Sequence, residues 1–414
     1  MSQLIGNAIF GQSGGPTSVI NASAAGVFIE ALKHSDCIPK VFGAAHGIKG
    51  ILEETFYDMG QEDPRELELM KTTPSSALGS VRYKLADASV DDTDYKRLLE
   101  VFKKYNIRYF FYNGGNDSMD TCNKISKFMQ KSGYECRVMG VPKTIDNDLY
   151  GTDHCPGFSS AAKYLATSTM EVYLDARVYD TGMITVLECM GRNAGWLTAA
   201  TALAAYKGQG PDLIYLPEVP FDLDKMVEDV KRIYAQTGKV IIAVSEGVKT
   251  KEGKYIPELV GEVAVDAFGH KQMGGTASVL ANYLKEKTGS KVRGIEFSLL
   301  QRCAAHLGSK SDVEEAYGSG AEAVKQALNG CTDYMIGIKR ISSQPYQTEY
   351  VLVPLSDVAN TEKTVPREWI NEEGNFVNDK FIEYALPLIA EDSVLPKEDG
   401  LPRFCHLKKV QATV

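Results

Sequence analysis

The chain has 414 residues, of which 44% are hydrophobic and 24% are charged, and this length predicts a globular protein with two domains. A formal net charge of −9 argues against non-specific nucleic-acid binding, which needs a basic face. The first residues lack the pattern of a signal peptide, and no apolar stretch reaches the roughly 18 residues of a membrane span. With eight cysteines and no Cys-x-x-Cys pair, we expect a cytoplasmic protein with reduced thiols, no zinc site and no membrane contact.

Short apolar runs alternate with segments of helical length along the chain. The predicted strands are Leu4–Phe10, Tyr109–Tyr112, Arg137–Val141, Met183–Leu187, Leu213–Leu216 and Val240–Val244. Predicted helices include Asp94–Tyr105, Ser118–Lys131, Ser159–Ala176 and Gly275–Lys287. This alternation predicts parallel sheets in an α/β fold. Ligands of such sheets bind beyond the carboxyl ends of the strands, so the residues that follow each strand are candidates for a site.

A glycine-rich segment follows the first predicted strand. Gly14 and Gly15 let backbone N–H groups approach an anion, and the next helix would add a favourable dipole. The segment matches neither the P-loop nor the dinucleotide fingerprint, and a purely structural turn is an equally open interpretation. Further along, Arg82 adds a cation after a turn of small residues.

A second glycine pair precedes an acidic residue and a hydroxyl. Gly115, Asp117 and Ser118 stand between a strand and a helix, an arrangement more specific for phosphate than the first. Asp117 or Ser118 could instead cap that helix, and capping is compatible with ligand binding.

The segment Pro142–Asp148 is the densest group of polar residues at a strand end. It contains Lys143, Thr144, Asp146 and Asp148 within seven residues. One carboxylate can take a proton, another can hold a cation, and the lysine can neutralise phosphate. The alternative is a capped turn in which Asp146 or Asp148 begins a helix.

Three of these motifs have the order and spacing of a known family. The chain contains Gly114–Ser118, Pro142–Asp148 and, after another strand, Met190–Arg192. It resembles the phosphofructokinases, most closely their pyrophosphate-dependent branch, from Leu4 to about Leu388.

The resemblance implies a fold and a division of the chain. We expect two Rossmann-like three-layer α/β/α domains with the active site in the cleft between them, and a C-terminal α+β extension. Residues 1–157 with 303–345 would form the phosphoryl-donor domain, and residues 158–302 with 346–414 the sugar-phosphate domain with its extension.

The resemblance also implies phosphoryl transfer to the 1-hydroxyl of fructose 6-phosphate. Asp146 matches the general base, and Thr144 and Asp148 match residues that contact the transferring group and order the base. Arg192 would neutralise charge on the phosphoryl oxygens, and Lys143 would stabilise the leaving group. The implied diphosphate-binding residues are Gly14, Gly15, Arg82, Gly115, Asp117, Ser118 and Lys143.

A further set of residues matches the sugar-phosphate site of the family. Glu246 would bind sugar hydroxyls, and Arg293 and Arg302 would hold the 6-phosphate. In the family, the equivalent of Arg293 often comes from a neighbouring subunit, which implies a homodimer or homotetramer with a shared site. The implied substrate-binding residues are Thr144, Ile145, Asp146, Met190, Gly191, Arg192, Glu246, Arg293, Leu299 and Arg302.

Two positions indicate the phosphoryl donor. Family members that use ATP have glycine at the position of Asp117 and often at that of Lys143. Asp117 would repel a nucleotide α-phosphate, and one charge pair at about 4 Å is worth roughly 4 kcal/mol at an effective dielectric near 20. We therefore expect pyrophosphate. An ATP-dependent enzyme and a non-catalytic sugar-phosphate-binding subunit are the alternatives.

Three residues depart from the family pattern. Asn116 replaces an aspartate that helps to hold magnesium, so we expect Mg²⁺ at Asn116 and Asp117 with a weaker ligand set. Met183 stands in place of an intersubunit arginine, and Leu299 in place of a histidine or tyrosine near the 6-phosphate.

Overall fold

The structure is a computed structural model that describes residues 4–260, 275–359 and 361–413. The strands are β1 (Asn7–Gln12), β2 (Val41–Ala44), β3 (Phe56–Asp58), β4 (Ile107–Gly114), β5 (Arg137–Pro142), β6 (Met183–Cys189), β7 (Leu213–Tyr215), β8 (Lys239–Ser245), β9 (Val292–Glu296), β10 (Tyr334–Ser343), β11 (Tyr346–Pro354), β12 (Lys397–Glu398) and β13 (Leu401–Pro402). The α-helices are α1 (Ile20–Leu32), α2 (Gly47–Leu52), α3 (Pro64–Leu69), α4 (Thr93–Lys104), α5 (Asn116–Lys131), α6 (Phe158–Asp175), α7 (Trp196–Ala200), α8 (Ala202–Tyr206), α9 (Leu223–Thr237), α10 (Thr276–Thr288), α11 (Leu300–Cys303), α12 (Lys310–Leu328), α13 (Leu355–Val358) and α14 (Asp379–Ala385).

The chain divides into two compact units, of which the first comprises Met1–Gly157, Gly308–Glu362 and Glu391–Val414. Its described residues form a seven-stranded sheet in the order β11-β10-β5-β4-β1-β2-β3. Strands β2, β1, β4, β5 and β10 pair in parallel, whereas β3 and β11 pair antiparallel at the two edges.

Both faces of this sheet are covered, because the residues of its central strand β4 alternate between two apolar cores. Phe110 and Tyr112 belong to the core shared with α4 and α5. Tyr109 and Phe111 belong to the core shared with α1 and α12. Successive side chains of a strand point to opposite faces, so the first unit is a three-layer α/β/α structure.

The second unit comprises Phe158–Leu307 and Lys363–Ala390. Its described residues form a four-stranded parallel sheet in the order β7-β8-β6-β9. Every residue of β6 and β8 is buried, as is typical of parallel strands covered on both faces. The prediction of an α/β fold with parallel sheets is confirmed. In the described part of the chain, no helix has the length and hydropathy needed to cross a membrane.

The division of the C-terminal part differs from the sequence-based expectation. We expected residues 346–414 in the second domain, but residues 346–362 and 391–414 lie in the first unit, and residues 303–307 lie in the second. Strand β11 follows β10 in an antiparallel hairpin, and its backbone hydrogen bonds attach it to the first sheet. The tail is attached to the same unit, where Arg403 Nη2 lies 2.5 Å from Glu66 Oε1.

The strand orders determine which loops become neighbours. Strands β1, β4 and β5 are adjacent and parallel, so the segments after them lie at one edge of the first sheet. Strands β8, β6 and β9 are likewise adjacent, so the segments that begin at Glu246, Met190 and Phe297 lie at one edge of the second. Each unit thus gathers its own candidate residues at strand C-terminal ends.

Candidate active site

The loop between β1 and α1 is held against the segment that leads to Arg82. The Gly14 N–H donates to the Val81 carbonyl oxygen at 3.2 Å, and Ser80 Oγ donates to the Gly14 carbonyl oxygen at 2.6 Å. Gly14 has a φ of 76°, in the left-handed region that favours glycine. The two hydrogen bonds therefore fix the glycine loop close to the exposed Arg82.

The segment after β4 begins helix α5 without a side-chain cap. The N-cap residue is Gly115, and neither Asp117 nor Ser118 caps the helix, because both lie in its first turn. A Cβ at Gly114 would overlap Ser118 Oγ, so the chain requires glycine there. Asp117 is exposed at a helix N-terminus, where the dipole also attracts anionic ligands.

Lys143 connects the two glycine loops. Its side chain is buried, and Nζ donates to the Gly15 carbonyl oxygen at 2.8 Å. Its backbone N–H donates to the Gly114 carbonyl oxygen at 3.0 Å. The predicted diphosphate-binding loops of the first unit are therefore assembled around one buried cation.

The residues after Lys143 form a turn rather than the start of a helix. The next helix is α6, so neither Asp146 nor Asp148 begins one. Thr144 Oγ1 accepts the Asp146 N–H at 3.1 Å, which fixes the backbone of the half-buried Asp146. The Ile145 side chain is buried, so it anchors this turn to the unit.

Asn116 has a buried amide oxygen, Oδ1, without a hydrogen-bond partner among the described residues. Its Nδ2 donates to Asp148 Oδ2 at 3.0 Å, and Asp117 follows it in the chain. Oxygen ligands of this kind suit Mg²⁺, which takes one or two carboxylates and completes its shell with water and phosphate oxygens. The described ranges contain no group of three or more His, Cys, Asp or Glu side chains arranged for a metal.

In the second unit, hydrogen bonds assemble the Met190–Arg192 turn with two other strand ends. The Met190 N–H donates to Gln301 Oε1 at 3.0 Å, and the Gly191 N–H donates to Glu246 Oε1 at 3.2 Å. Ser245 Oγ donates to the Gly191 carbonyl oxygen at 2.5 Å. These bonds bring the predicted sugar-binding residues after β6 and β8 together.

Arg192 carries an unsatisfied donor at this turn. Its side chain is half-buried, and Nε is buried without a hydrogen-bond partner among the described residues. A Cβ at Gly247 would overlap the Arg192 carbonyl oxygen, so glycine permits the close packing of the two turns. An anionic ligand would satisfy the guanidinium.

Glu188 is a buried carboxylate near the end of β6, two residues before this turn. It is 5% exposed, and its Oε2 accepts the Ala277 N–H at 2.8 Å. Burial, together with the charges of Glu296 and Glu246, raises its pKa to about 7, against the effect of the Ala277 hydrogen bond. The second unit therefore holds a carboxyl group that titrates near neutral pH.

The predicted arginines of the second unit lie in different places. Arg302 is half-buried in α11, and Leu299 directly before that helix is 55% exposed. Arg293 is exposed on β9 opposite Thr185 and lies 3.5 Å from Asp175 Oδ2. Thr185 stands five residues before the Met190 turn, about 16 Å along the strand. The structure therefore does not bring Arg293 to the other predicted sugar-binding residues of its own chain.

Sequence reasoning missed two residues that hold the second group together, Gln301 and Ser245. Both are buried. Gln301 directly precedes Arg302 in α11, and Ser245 directly precedes Glu246 at the end of β8. A polar residue next to a candidate in a segment of this kind was the available signal.

Comparison with known proteins agrees with these motifs. The family model "Phosphofructokinase" matches residues 7–295. A pyrophosphate–fructose 6-phosphate 1-phosphotransferase of Halomonas elongata is 45% identical over 97% of this chain and 96% of its own length. One from Xanthomonas campestris is 43% identical over 98% and 97%, respectively. The crystal structure of the pyrophosphate-dependent phosphofructokinase of Nitrosospira multiformis superposes with a TM-score of 0.90 at 42% identity, covering 99% of this chain and 98% of the other. The chain belongs to the phosphofructokinase family.

Proposed function

We propose that this protein catalyses reversible phosphoryl transfer from pyrophosphate to the 1-hydroxyl of fructose 6-phosphate, giving fructose 1,6-bisphosphate and phosphate. The observation that carries the proposal is the buried Lys143, which is hydrogen-bonded to both glycine loops beside the exposed Asp117. Relatives named for this reaction, similar over nearly the whole chain, support it.

The first unit would hold the donor and supply the base. Asp146 would take the proton of the sugar hydroxyl, with its backbone fixed by Thr144. Lys143 would neutralise charge on the leaving phosphate, and the N–H groups near Gly14 and Gly115 would contact the diphosphate oxygens. In this reaction class, catalysis is mostly positioning and electrostatic stabilisation.

Donor choice would depend on Asp117. Asp117 lies in the first turn of α5, and the family resemblance implies that a nucleotide would place its α-phosphate near this residue. Repulsion between the two anions opposes ATP, whereas pyrophosphate ends before that position. Lys143 favours the same donor because a compact ammonium suits inorganic phosphate.

The second unit would hold the sugar phosphate. Glu246 would accept hydrogen bonds from sugar hydroxyls while its other contact fixes Gly191. Arg302 would bind the 6-phosphate, and the unsatisfied Nε of Arg192 would donate to the transferring phosphoryl group.

Magnesium is the expected metal. Asn116 Oδ1, together with Asp117 and Asp148, fits a hard cation that prefers oxygen ligands. Bound there, Mg²⁺ would neutralise charge on the phosphate oxygens.

We also propose a homodimer or homotetramer in which Arg293 serves the site of a neighbouring subunit. Its distance from the Met190 turn supports this arrangement, as does its position in a surface cavity of about 270 Å³ that also contains Met183 and Asp175. Val178 and Tyr179, which follow the lining residue Ala176 in the chain, are 67% and 65% exposed. Light scattering of the purified protein tests the assembly, and a monomer with full activity would contradict it.

We further propose a cytoplasmic location, in keeping with eight cysteines, all within the described ranges, that form no disulfide and of which five are buried. Cell fractionation tests this, and an envelope-bound protein would contradict it.

The experiment that tests the proposed function is a coupled assay with pyrophosphate or ATP, each with and without Mg²⁺. We expect magnesium-dependent turnover with pyrophosphate only. Turnover with ATP but not with pyrophosphate would reject pyrophosphate as the donor. Binding of fructose 6-phosphate without turnover on either donor would reject catalysis.

A further inference from the structure

The segment that carries Asp146 folds back on itself before α6 begins. The Thr144 N–H donates to the Pro156 carbonyl oxygen at 3.1 Å, and Thr144 forms a bridge with Gly157. Asn147, next to Asp146, is fully buried, and its Oδ1 accepts the Cys155 N–H at 2.9 Å. The returning residues 154–157 therefore support the start of this turn at Thr144, with which Gly157 pairs in parallel.

The returning residues are attached to two successive turns of α12. The Gly157 N–H donates to Asp312 Oδ1 at 2.8 Å, and His154 Nε2 lies 2.7 Å from Glu315 Oε2. Asp312 and Glu315 are three residues apart, so they share one face of the helix. His154 is fully buried, and Glu315 is 6% exposed.

Both ring nitrogens of His154 contact a carboxylate, and each carboxylate has a further hydrogen-bond donor. Its Nδ1 donates to Asp153 Oδ1 at 2.8 Å, and Arg340 Nη2 donates to the same oxygen at 2.8 Å. On the other side, Tyr346 Oη donates to Glu315 Oε1 at 2.7 Å. The buried contact between His154 and Glu315 therefore has the additional hydrogen bonds that a buried ion pair requires.

The charge state of His154 follows from these partners. Burial opposes its protonation, but the charge of Glu315 and the hydrogen bonds to Asp153 and Glu315 outweigh burial and raise the pKa to about 9. His154 also holds the pKa of Glu315 below its usual range, against burial. Near neutral pH the contact is an imidazolium–carboxylate pair.

We propose that this pair, His154 with Glu315, positions Asp146 by fixing the returning residues beneath the catalytic turn. Both members are positioning residues, because neither touches the reacting atoms. The proposal deepens the proposed function and rests on it. It assigns to His154 and Glu315 an effect on kcat rather than on affinity for the sugar phosphate, because they support the segment of the base and not Glu246 and Arg302 of the second unit.

The test compares Glu315→Gln with Glu314→Gln, which changes the exposed neighbour on the same helix. Glutamine keeps the size of the side chain and one acceptor oxygen, and it removes the charge. We expect kcat to fall about 10- to 100-fold in Glu315→Gln with both KM values little changed, because misplacement by about 1 Å costs on the order of 10² in rate. We expect the alkaline decline of kcat to move to lower pH, because His154 loses the anion that keeps it protonated.

Amide hydrogen exchange across residues 144–157 is the second measurement, and we expect faster exchange in Glu315→Gln than in Glu314→Gln. Equal exchange in the two variants, or an unchanged kcat and pH profile, would overturn the proposal. If Glu315→Gln does not fold, Tyr346→Phe keeps both charges and removes the hydroxyl that contacts Glu315 and His154, and the comparisons of kcat and amide exchange apply to it. A wild-type chain without diphosphate-dependent turnover would reject the proposed function, whereas the exchange measurement decides the anchoring independently.

Discussion

The two units assemble their candidate site residues in different ways. In the first, Lys143, Thr144 and Asp146 come from one short segment, and Lys143 is bonded to both glycine loops. In the second, Met190 and Glu246 come from different strand ends that meet through side chains. A contiguous segment fixes the relative positions of its residues through the backbone, whereas a dispersed group depends on the packing between elements.

The electrostatics of the two units also differ. Glu315 of the first unit and Glu188 of the second are both buried. The pKa of Glu315 is lowered because, despite burial, the cationic His154 faces it, while burial near two other carboxylates raises the pKa of Glu188 to about 7. Burial alone therefore does not determine the charge of a carboxylate, and the partner decides it.

The largest expected effect tests the contiguous segment of the first unit, residues 143–146. Asp146→Asn keeps the size of the side chain and removes the base, so we expect kcat to fall about 10² to 10⁴-fold. The exposed Asp180→Asn is the matched control. Steady-state kinetics with pyrophosphate measure both, and a near-normal kcat in Asp146→Asn would remove it from the role of base.

The next prediction concerns Lys143, the cation of the same segment. Lys143→Met removes the charge that would stabilise the leaving phosphate, and we expect kcat to fall about 10² to 10³-fold, as for loss of one preorganised donor. The exposed Lys84→Met is the control. Comparable rates in the two variants would show that the glycine loops bind diphosphate without Lys143.

The third prediction separates the second unit from the first. Arg302→Lys keeps a charge but removes the bidentate fork, so we expect KM for fructose 6-phosphate to rise about 10-fold with kcat nearly unchanged. Arg65→Lys, at a highly exposed arginine of the first unit, is the control. A fall in kcat with an unchanged KM would contradict a binding role for Arg302.

The smallest effect concerns Glu188 and appears in stability. Its pKa is raised to about 7 in the fold, so its contribution is fully present below its ordinary pKa near 4.5 and is lost as pH rises through 7. The loss amounts to about 3 kcal/mol. Between pH 4.5 and 7, we therefore expect the free energy of unfolding of Glu188→Gln to fall by about 3 kcal/mol less than that of the wild type. Denaturant unfolding at several pH values measures the difference, with Glu314→Gln as control, and parallel curves for Glu188→Gln and the wild type would contradict it.

Most candidate site residues of the first unit could be predicted from the sequence. The strands before Lys143 and Gly115 were recognisable as apolar runs, and polar residues directly after them have few roles other than a turn or a ligand site. The structure narrows these alternatives, because Gly115 rather than Asp117 is the N-cap of α5 and no helix begins at Asp146.

Local pattern thus determined the α/β class and the segments that carry polar side chains, because periodicity and turn residues act over a few neighbours. Only the tertiary structure decided that Gln301 contacts Met190, that β11 joins the first sheet, and that Glu315 pairs with His154 across 161 residues. Such contacts depend on which elements become neighbours in space, and no short-range pattern in one chain encodes that choice.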